Sequence, residues 1–307
     1  MSGLITTGSF STTLRPGINT FFGMEYDRQT GQYEKIFDVR TSDKRYEEDV
    51  MLQGFGLATV MNEGDSVTYG SAKQDWTKRF VHVMYGQGFV ISKLAQDDNQ
   101  YAMNLAMMLT KNLAMTMLVT KETIAASVLN NAFSAGGNGQ GVGGDGAALC
   151  STSHPNLGGT YSNKLAVDTD LSEAAIEQAC IDIRGLTDDA GVLIGLKPNK
   201  LVIHRNDMFN ATRILKGSER PDTANRDVNA LNYMGIINEV VINDYLTDSD
   251  AWFITTNCPN GLIHYKRKGY ELTSDNDFDT GNAKFKVTER YSFNFSDPKG
   301  IYGSQGA

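Results

Sequence analysis

The sequence predicts an α+β fold organised around one long helix and one long strand, and three patterns carry that prediction. From Leu94 to Ala135 there is no proline or glycine, and strong helix formers dominate residues 95–134. Residues 284–296 alternate apolar and polar side chains with a single break. Residues 165–280 mix short apolar strands and amphipathic helices between turn residues, the pattern of a compact second unit.

The helix is read first. Asp97, Asp98 and Asn99 suit its N-terminus, and Gly136-Gly137 ends it. At about 1.5 Å per residue it would span about 55–60 Å. Leu105, Met108, Leu109, Asn112, Met115 and Val119 recur at helical spacing and are expected to face the core. In the strand, Phe285, Val287, Tyr291, Phe293 and Phe295 share one face. Lys284, Lys286, Thr288, Arg290, Ser292 and Asn294 share the other, and Glu289 breaks the apolar side. A strand with one packed face needs a partner, and the domain of the long helix is the natural one.

Before the helix the chain offers little core. Residues 1–35 are rich in Gly, Ser and Thr, carry Pro16-Gly17 and show no sustained period, which predicts an arm lying on another surface. Residues 36–50 are strongly charged and read as a connecting strand with a helical turn. Residues 51–92 read as a long hairpin, with one limb from Gly56 to Tyr69, a tip at Gly70-Ser71-Ala72, and a return limb from Trp76 to Ser92. An isolated two-stranded hairpin is marginal in water, so this one calls for a partner surface.

After the helix, the glycine-rich run at 136–146 lacks the preceding strand, following helix start and Lys-Ser/Thr ending of a phosphate loop. A helix is expected over Leu171–Leu186, opened by Asp170 or Ser172, and another over Asp207–Lys216, closed by Gly217. Strands are expected at Lys200–His204, Ile236–Asn243 and Ala251–Thr255, with a polar loop at 219–232.

Composition narrows function. The 307 residues carry 28 Lys+Arg against 36 Asp+Glu, a net charge of −8, which argues against general nucleic-acid binding. Cys150, Cys180 and Cys258 are odd in number and far apart, so reduced thiols are expected and no disulfide framework. No secretion signal opens the chain. The most apolar stretch, Tyr101 to Val119, holds too many polar residues for a membrane span. His154 lies four residues after Cys150 without the further ligands a zinc site needs, and His204 ends a buried strand; both read as structural. Asp275, Asp277 and Asp279 alternate like a calcium loop but lack its glycine and distal Glu, so a solvated turn is expected. Catalytic, cofactor and metal residues are all read as none, and no serine-hydrolase, metalloprotease or kinase pattern is present.

Several strings, in this order, resemble the major capsid proteins of tailed bacteriophages, of the HK97 fold: CSTSHPNLGGTYSN (150–163), KPNKLVIHRNDMFNATRILKGSERP (197–221), NDYLTDSDAWFITT (243–256), HYKRKGY (264–270) and FKVTERYSFNFSDPKGIYGSQG (285–306). The resemblance covers nearly the whole chain. It implies an N-terminal arm at 1–35, a peripheral P-domain segment at 36–50, an extended E-loop hairpin at 51–92, and the P-domain with its spine helix at 93–164. An axial A-domain follows at 165–280, then the closing P-domain strand and tail at 281–307.

The implied activity is structural: self-assembly as hexamers and pentamers into an icosahedral shell around double-stranded DNA, with no sequence-specific DNA contacts, no membrane and no cofactor. Implied partners are further copies, a scaffolding protein, a portal and a decoration protein, with assembly in the bacterial cytoplasm. Because Met1 leads directly into the arm, the scaffold is expected to be a separate protein. Glu63, Asp65, Lys73, Asp75, Trp76, Lys78 and Arg79 are the candidates for contact with a neighbouring subunit. Some family members join subunits by Lys–Asn isopeptide bonds, and Lys73 and Lys78 sit where such a donor would; they read first as solvated charges. The alternatives are an encapsulin-type nanocompartment shell, told apart by its protein cargo, and a hydrolase using His154 or the Asp275–Asp279 cluster, told apart by loss of activity in His154→Ala.

Overall fold

Among the described residues the strands form two four-stranded sheets, with β-ladders of two strands beside them. The structure is a computed structural model describing residues 20–28, 31–52, 54–70, 73–98, 102–134, 141–156, 159–220 and 227–307. Helix α1 covers residues 20–27, followed by a 3₁₀ turn at Gln32–Lys35, β1 (Asp38–Thr41), β2 (Tyr46–Leu52), β3 (Gln74–Val81) and β4 (Val83–Ile91). Next come α2 (Lys93–Asp98), α3 (Ala102–Asn130), β5 (His154–Asn156), β6 (Gly159–Tyr161), α4 (Glu173–Arg184), β7 (Pro198–His204), α5 (Met208–Lys216) and α6 (Ala230–Met234). The chain finishes with β8 (Glu239–Asn243), β9 (Trp252–Thr256), β10 (Leu262–Asn276), β11 (Ala283–Phe295) and β12 (Ile301–Ser304).

The first sheet has the order β1-β10-β11-β4, and α3 packs across one face of it. The second has the order β12-β9-β7-β8 and is covered on both sides. Val202, Val241 and Phe253 point toward the C-terminal half of α3 and the aromatic end of β11. Their strand neighbours Leu201, Ile203, Trp252 and Ile254 point the other way, onto α4 and α5. This period-two division explains why these strands read as continuous apolar runs. Ser172 caps α4, its hydroxyl accepting from the Ala175 amide at 3.3 Å.

Several elements differ from the sequence expectation, each for a physical reason. Within the segment expected to be a coreless arm, α1 seats Phe22 and Tyr26 against Leu113, Ala114, Met117 and Leu118 of α3. Its two aromatic anchors, four residues apart, were too few to register as a period. Residues 1–19 lie outside the described residues. In the charged segment 36–50, β1 is the expected connecting strand, but in place of a helical turn a second strand, β2, follows and pairs with β3. The expected limb from Gly56 to Tyr69 forms no ladder, and the return limb divides at His82 into β3, paired with β2, and β4, paired with β11.

The closing strand finds its partner in β10, antiparallel over its full length, so residues 262–276 join the first sheet and not the second. The tail then crosses over, and β12 pairs with β9. In the stretch expected to be a polar loop, Asn229 caps the short helix α6, and residues 221–226 lie outside the description.

The long helix is real but shorter and turned from the expected phase. Described helix runs over 93–98 and 102–130; the cap at Asn99 and the terminators Gly136-Gly137 lie outside the described residues. The 29 residues of α3 span about 44 Å at 1.5 Å each. Its buried face holds Ala106, Thr110, Leu113, Ala114, Met117, Leu118, Ala125, Val128 and Leu129, while Met108, Asn112, Met115 and Val119 face outward. Ala, Met and Leu on both sides make the helix weakly apolar all round, so its own periodicity does not choose a face. Contacts from α1 and the sheet choose it.

The break at Glu289 is explained by α3. Glu289 is buried and pairs with the ammonium of Lys121, itself 3% exposed. The Tyr26 hydroxyl accepts from Lys121 at 2.6 Å and donates to Glu289 at 2.9 Å. The rings of Tyr26, Tyr33 and Tyr291 stand within 5.2–5.7 Å of the same ammonium. Burial holds Lys121 below the usual lysine range against the pull of Glu289. Beside this cage His264 stacks on Phe293 at 4.1 Å, neither ring nitrogen has a hydrogen-bond partner among the described residues, and burial lowers its pKa to about 3.

Candidate functional site

Residues 54–70, between β2 and β3, expose large apolar side chains without a backbone ladder beneath them. Val60 is 93% exposed, Tyr69 91% and Leu57 80%, with Phe55, Met61 and Val67 also open to solvent. A turn sits at residues 62–65. There the Asp65 amide donates to the Asn62 carbonyl at 3.1 Å, and Asp65 Oδ2 accepts from the Asn62 amide at 2.8 Å. Gly64 has φ +93°, a conformation that favours glycine. Residues 71 and 72 lie outside the described residues. Across the loop, Thr59 Oγ1 and Thr68 Oγ1 lie 3.5 Å apart.

The sequence candidates separate into two groups. Glu63 and Asp65 occupy the tip, and Lys73 and Asp75 lie exposed near the base. Trp76, Lys78 and Arg79 instead root the loop in its own subunit. Arg79 Nε donates to Glu48 Oε1 at 2.7 Å, and its guanidinium lies 4.5 Å from the Tyr46 ring centre. The Lys78 ammonium donates to the Val142 carbonyl and lies 5.3 Å from the Phe295 ring centre. Lys78 is therefore buried, contrary to its reading as a solvated charge, and desolvation lowers its pKa. The Trp76 ring packs against Gly144, where a Cβ would overlap it. Between these two residues and beyond, Phe80 is buried edge-on against Tyr265 at 5.0 Å.

The glycine-rich segment that receives Trp76 and Lys78 is itself locked. Asp145 Oδ2 lies 2.6 Å from His154 Nδ1, and His154 Nε2 lies 3.0 Å from Asn163 Oδ1. Asn163 donates to the carbonyls of Leu149, Pro298 and Ile301 at 2.7, 2.9 and 3.1 Å. His154 is fully buried and stacked on Tyr161, so its structural reading stands on these bonds. Burial raises the thiol pKa of neighbouring Cys150. The His204 ring accepts from the Asn206 amide at 3.2 Å, capping a 3₁₀ turn. The Asp275–Asp279 run leads into the turn joining β10 to β11: Asp277 pairs with Lys284 at 2.7 Å, and Asp279 donates its amide to Asp277. Among the described residues, no group of three or more His, Cys, Asp or Glu could hold a metal ion, and no helix is long and apolar enough to cross a membrane.

Two features escaped the sequence reading. Phe278, 98% exposed, stands at the tip of the β10–β11 hairpin, where an aromatic between aspartates was the available signal. The apolar residues of the 54–70 loop were visible, but the charged ones were chosen as contact candidates. Phe278 is a single exposed ring, whereas residues 54–70 carry several exposed apolar side chains together.

Solved capsid structures share this architecture. The capsid of cyanophage P-SCSP1u matches with TM-score 0.55 at 10% identity, over 91% of this chain and 89% of that one. The capsid of an empty GTA particle matches with TM-score 0.56 at 13% identity, over 91% of each chain. A virus-like particle from Pyrococcus furiosus matches with TM-score 0.54 at 10% identity, over 94% and 97%. The fold is thus that of shell-forming capsid subunits, HK97-like. A sequence model described as phage capsid protein matches residues 77–304, and the chain belongs to that family. No curated protein matches it in sequence.

Proposed function

We propose that the chain is the major head protein of a phage, assembling as hexamers and pentamers into an icosahedral shell around double-stranded DNA. The observation that carries this reading is the 54–70 loop, whose exposed apolar side chains have a rooted base and no cover among the described residues. Repeated around a ring, individually modest contacts of this kind give a stable shell. Glu63, Asp65, Lys73 and Asp75 pair with neighbouring subunits and set register, since exposed pairs contribute only about 0–1 kcal/mol each. Trp76, Lys78 and Arg79 hold the loop at its working angle. A separate scaffolding protein, a portal and a decoration protein complete the partner set, and assembly takes place in the host cytoplasm. The net charge of −8 suits a wall that leaves DNA mobile. The role is structural, without a catalytic step.

Likeness to the Pyrococcus furiosus virus-like particle favours one second reading, a nanocompartment that packages protein. Electron microscopy of particles from the expressed chain, with and without scaffold, tests assembly, and their contents separate the two readings. Shells filled with DNA in infected cells support the first; shells holding a cargo enzyme support the second.

A further inference from the structure

The first sheet ends on two unlike edges. The β1 edge is four residues long and carries Asp38 and Arg40, the short charged form that discourages further pairing. The β4 edge is nine residues long, reads VMYGQGFVI, and has neither charge nor proline. Its register with β11 runs unbroken from Tyr291↔Val83 to Ala283↔Ile91, so no bulge turns it away. Among the described residues no strand pairs with the other side of residues 83–90. Met84 and Val90 are exposed, and Gly86 and Gly88 leave bare backbone between them. An edge of this kind is a template for another chain.

The same molecule carries a matching segment. Residues 54–61, GFGLATVM, are also without charge or proline, belong to no helix, strand or turn, and make no backbone–backbone hydrogen bond among the described residues. Eight residues cover about 27 Å as a strand, close to the length of the edge. The loop leaves the β2–β3 ladder at the Leu52–Gln74 end, which is the end of β3 remote from β4. The complementary copy is therefore a neighbour's. We infer that in the assembled shell residues 54–61 of one subunit add as a fifth strand on the β4 edge of the next. This rests on the proposed assembly and names the surface its loop occupies.

Hydrogen–deuterium exchange on free subunits and on shells of the full chain tests it. On assembly, residues 54–61 and 83–90 slow together by about tenfold or more in their previously open amides. The double variant Leu57→Pro/Ala58→Pro removes one donor of each strand parity where the subunit uses none. It keeps its thermal midpoint, and gives either no shells or shells in which residues 83–90 exchange as in the free subunit. Wild-type shells with residues 54–61 slowed and 83–90 unchanged overturn the strand addition while leaving loop docking intact. Double-proline shells that keep 83–90 slowed overturn it as well, because another segment then covers the edge. Failure of the wild-type chain to form particles, with or without scaffold, sinks the assembly reading and this pairing together.

Discussion

Around Lys121 and Glu289 the subunit completes itself: a buried cation, a buried anion and a tyrosine hydroxyl satisfy one another inside a wall of three aromatic rings. Along residues 54–70 the subunit stops short, with Leu57, Val60 and Tyr69 in solvent and no ladder beneath them. Both regions hang on the same frame of α3 and the first sheet. The difference separates what folds one chain from what joins many. On the proposed function, stability belongs to the first region and assembly to the second, so a change in one should leave the other's readout in place.

Replacing Phe55, Leu57, Val60 and Tyr69 together by Ser breaks the comparison on the assembly side. Shell yield by sedimentation falls by at least about tenfold, while subunit stability stays within about 0.5 kcal/mol, the range of exposed substitutions. Lys121→Met breaks it on the other side. It strands the buried Glu289 carboxylate and lowers unfolding free energy by about 3–5 kcal/mol, measured by denaturant titration. Lys121→Met combined with Glu289→Leu recovers much of that loss, because an apolar pair of similar volume replaces the ion pair.

His264 sharpens the core side through pH. The unfolded imidazole titrates near 6.5 and the folded one near 3. Below pH 6.5 the unfolded chain therefore binds a proton that the folded chain refuses. This contribution is whole above pH 6.5 and is lost as pH falls toward 3, by up to about 1.4 kcal/mol per pH unit. His264→Phe removes that part of the slope in stability measured against pH; an unchanged slope would place the imidazole in water. Arg79→Ala has the smallest effect, under about 1 kcal/mol by denaturant titration, since its pair with Glu48 is exposed.

Much of the frame was legible because its signals are periodic. The strand at 284–296, the helices at 173–184 and 208–216 and the strand at 198–204 lie within a few residues of expectation. Glu289 was visible as an anomaly, but its partner is 168 positions earlier, and no local pattern connects them. The α3 core face was misread because the helix is apolar on both sides. Strand β2 was hidden because Glu47 and Asp49 stand on its half-buried face while Tyr46, Val50 and Leu52 are exposed, and β10 because its register slips between Lys266 and Glu271. At the candidate site, charge drew attention to Lys78 and Arg79, which turn out to face their own subunit. A lysine on a strand is buried or free according to what lies opposite, here the Val142 carbonyl and Phe295, both remote in sequence.

The central division also decides where the chain can be cut. A deletion that reached Lys78 would remove part of β3 and the Lys78 anchor, so the informative excision is residues 56–69, closed by a short Gly-Ser link. The decisive measurement compares this variant with the wild-type chain by electron microscopy and thermal unfolding under identical conditions. The account predicts shells from the wild type, none from the excised chain, and the same unfolding midpoint for both free subunits. Normal shells from the excised chain would contradict it, and so would a subunit that no longer folds.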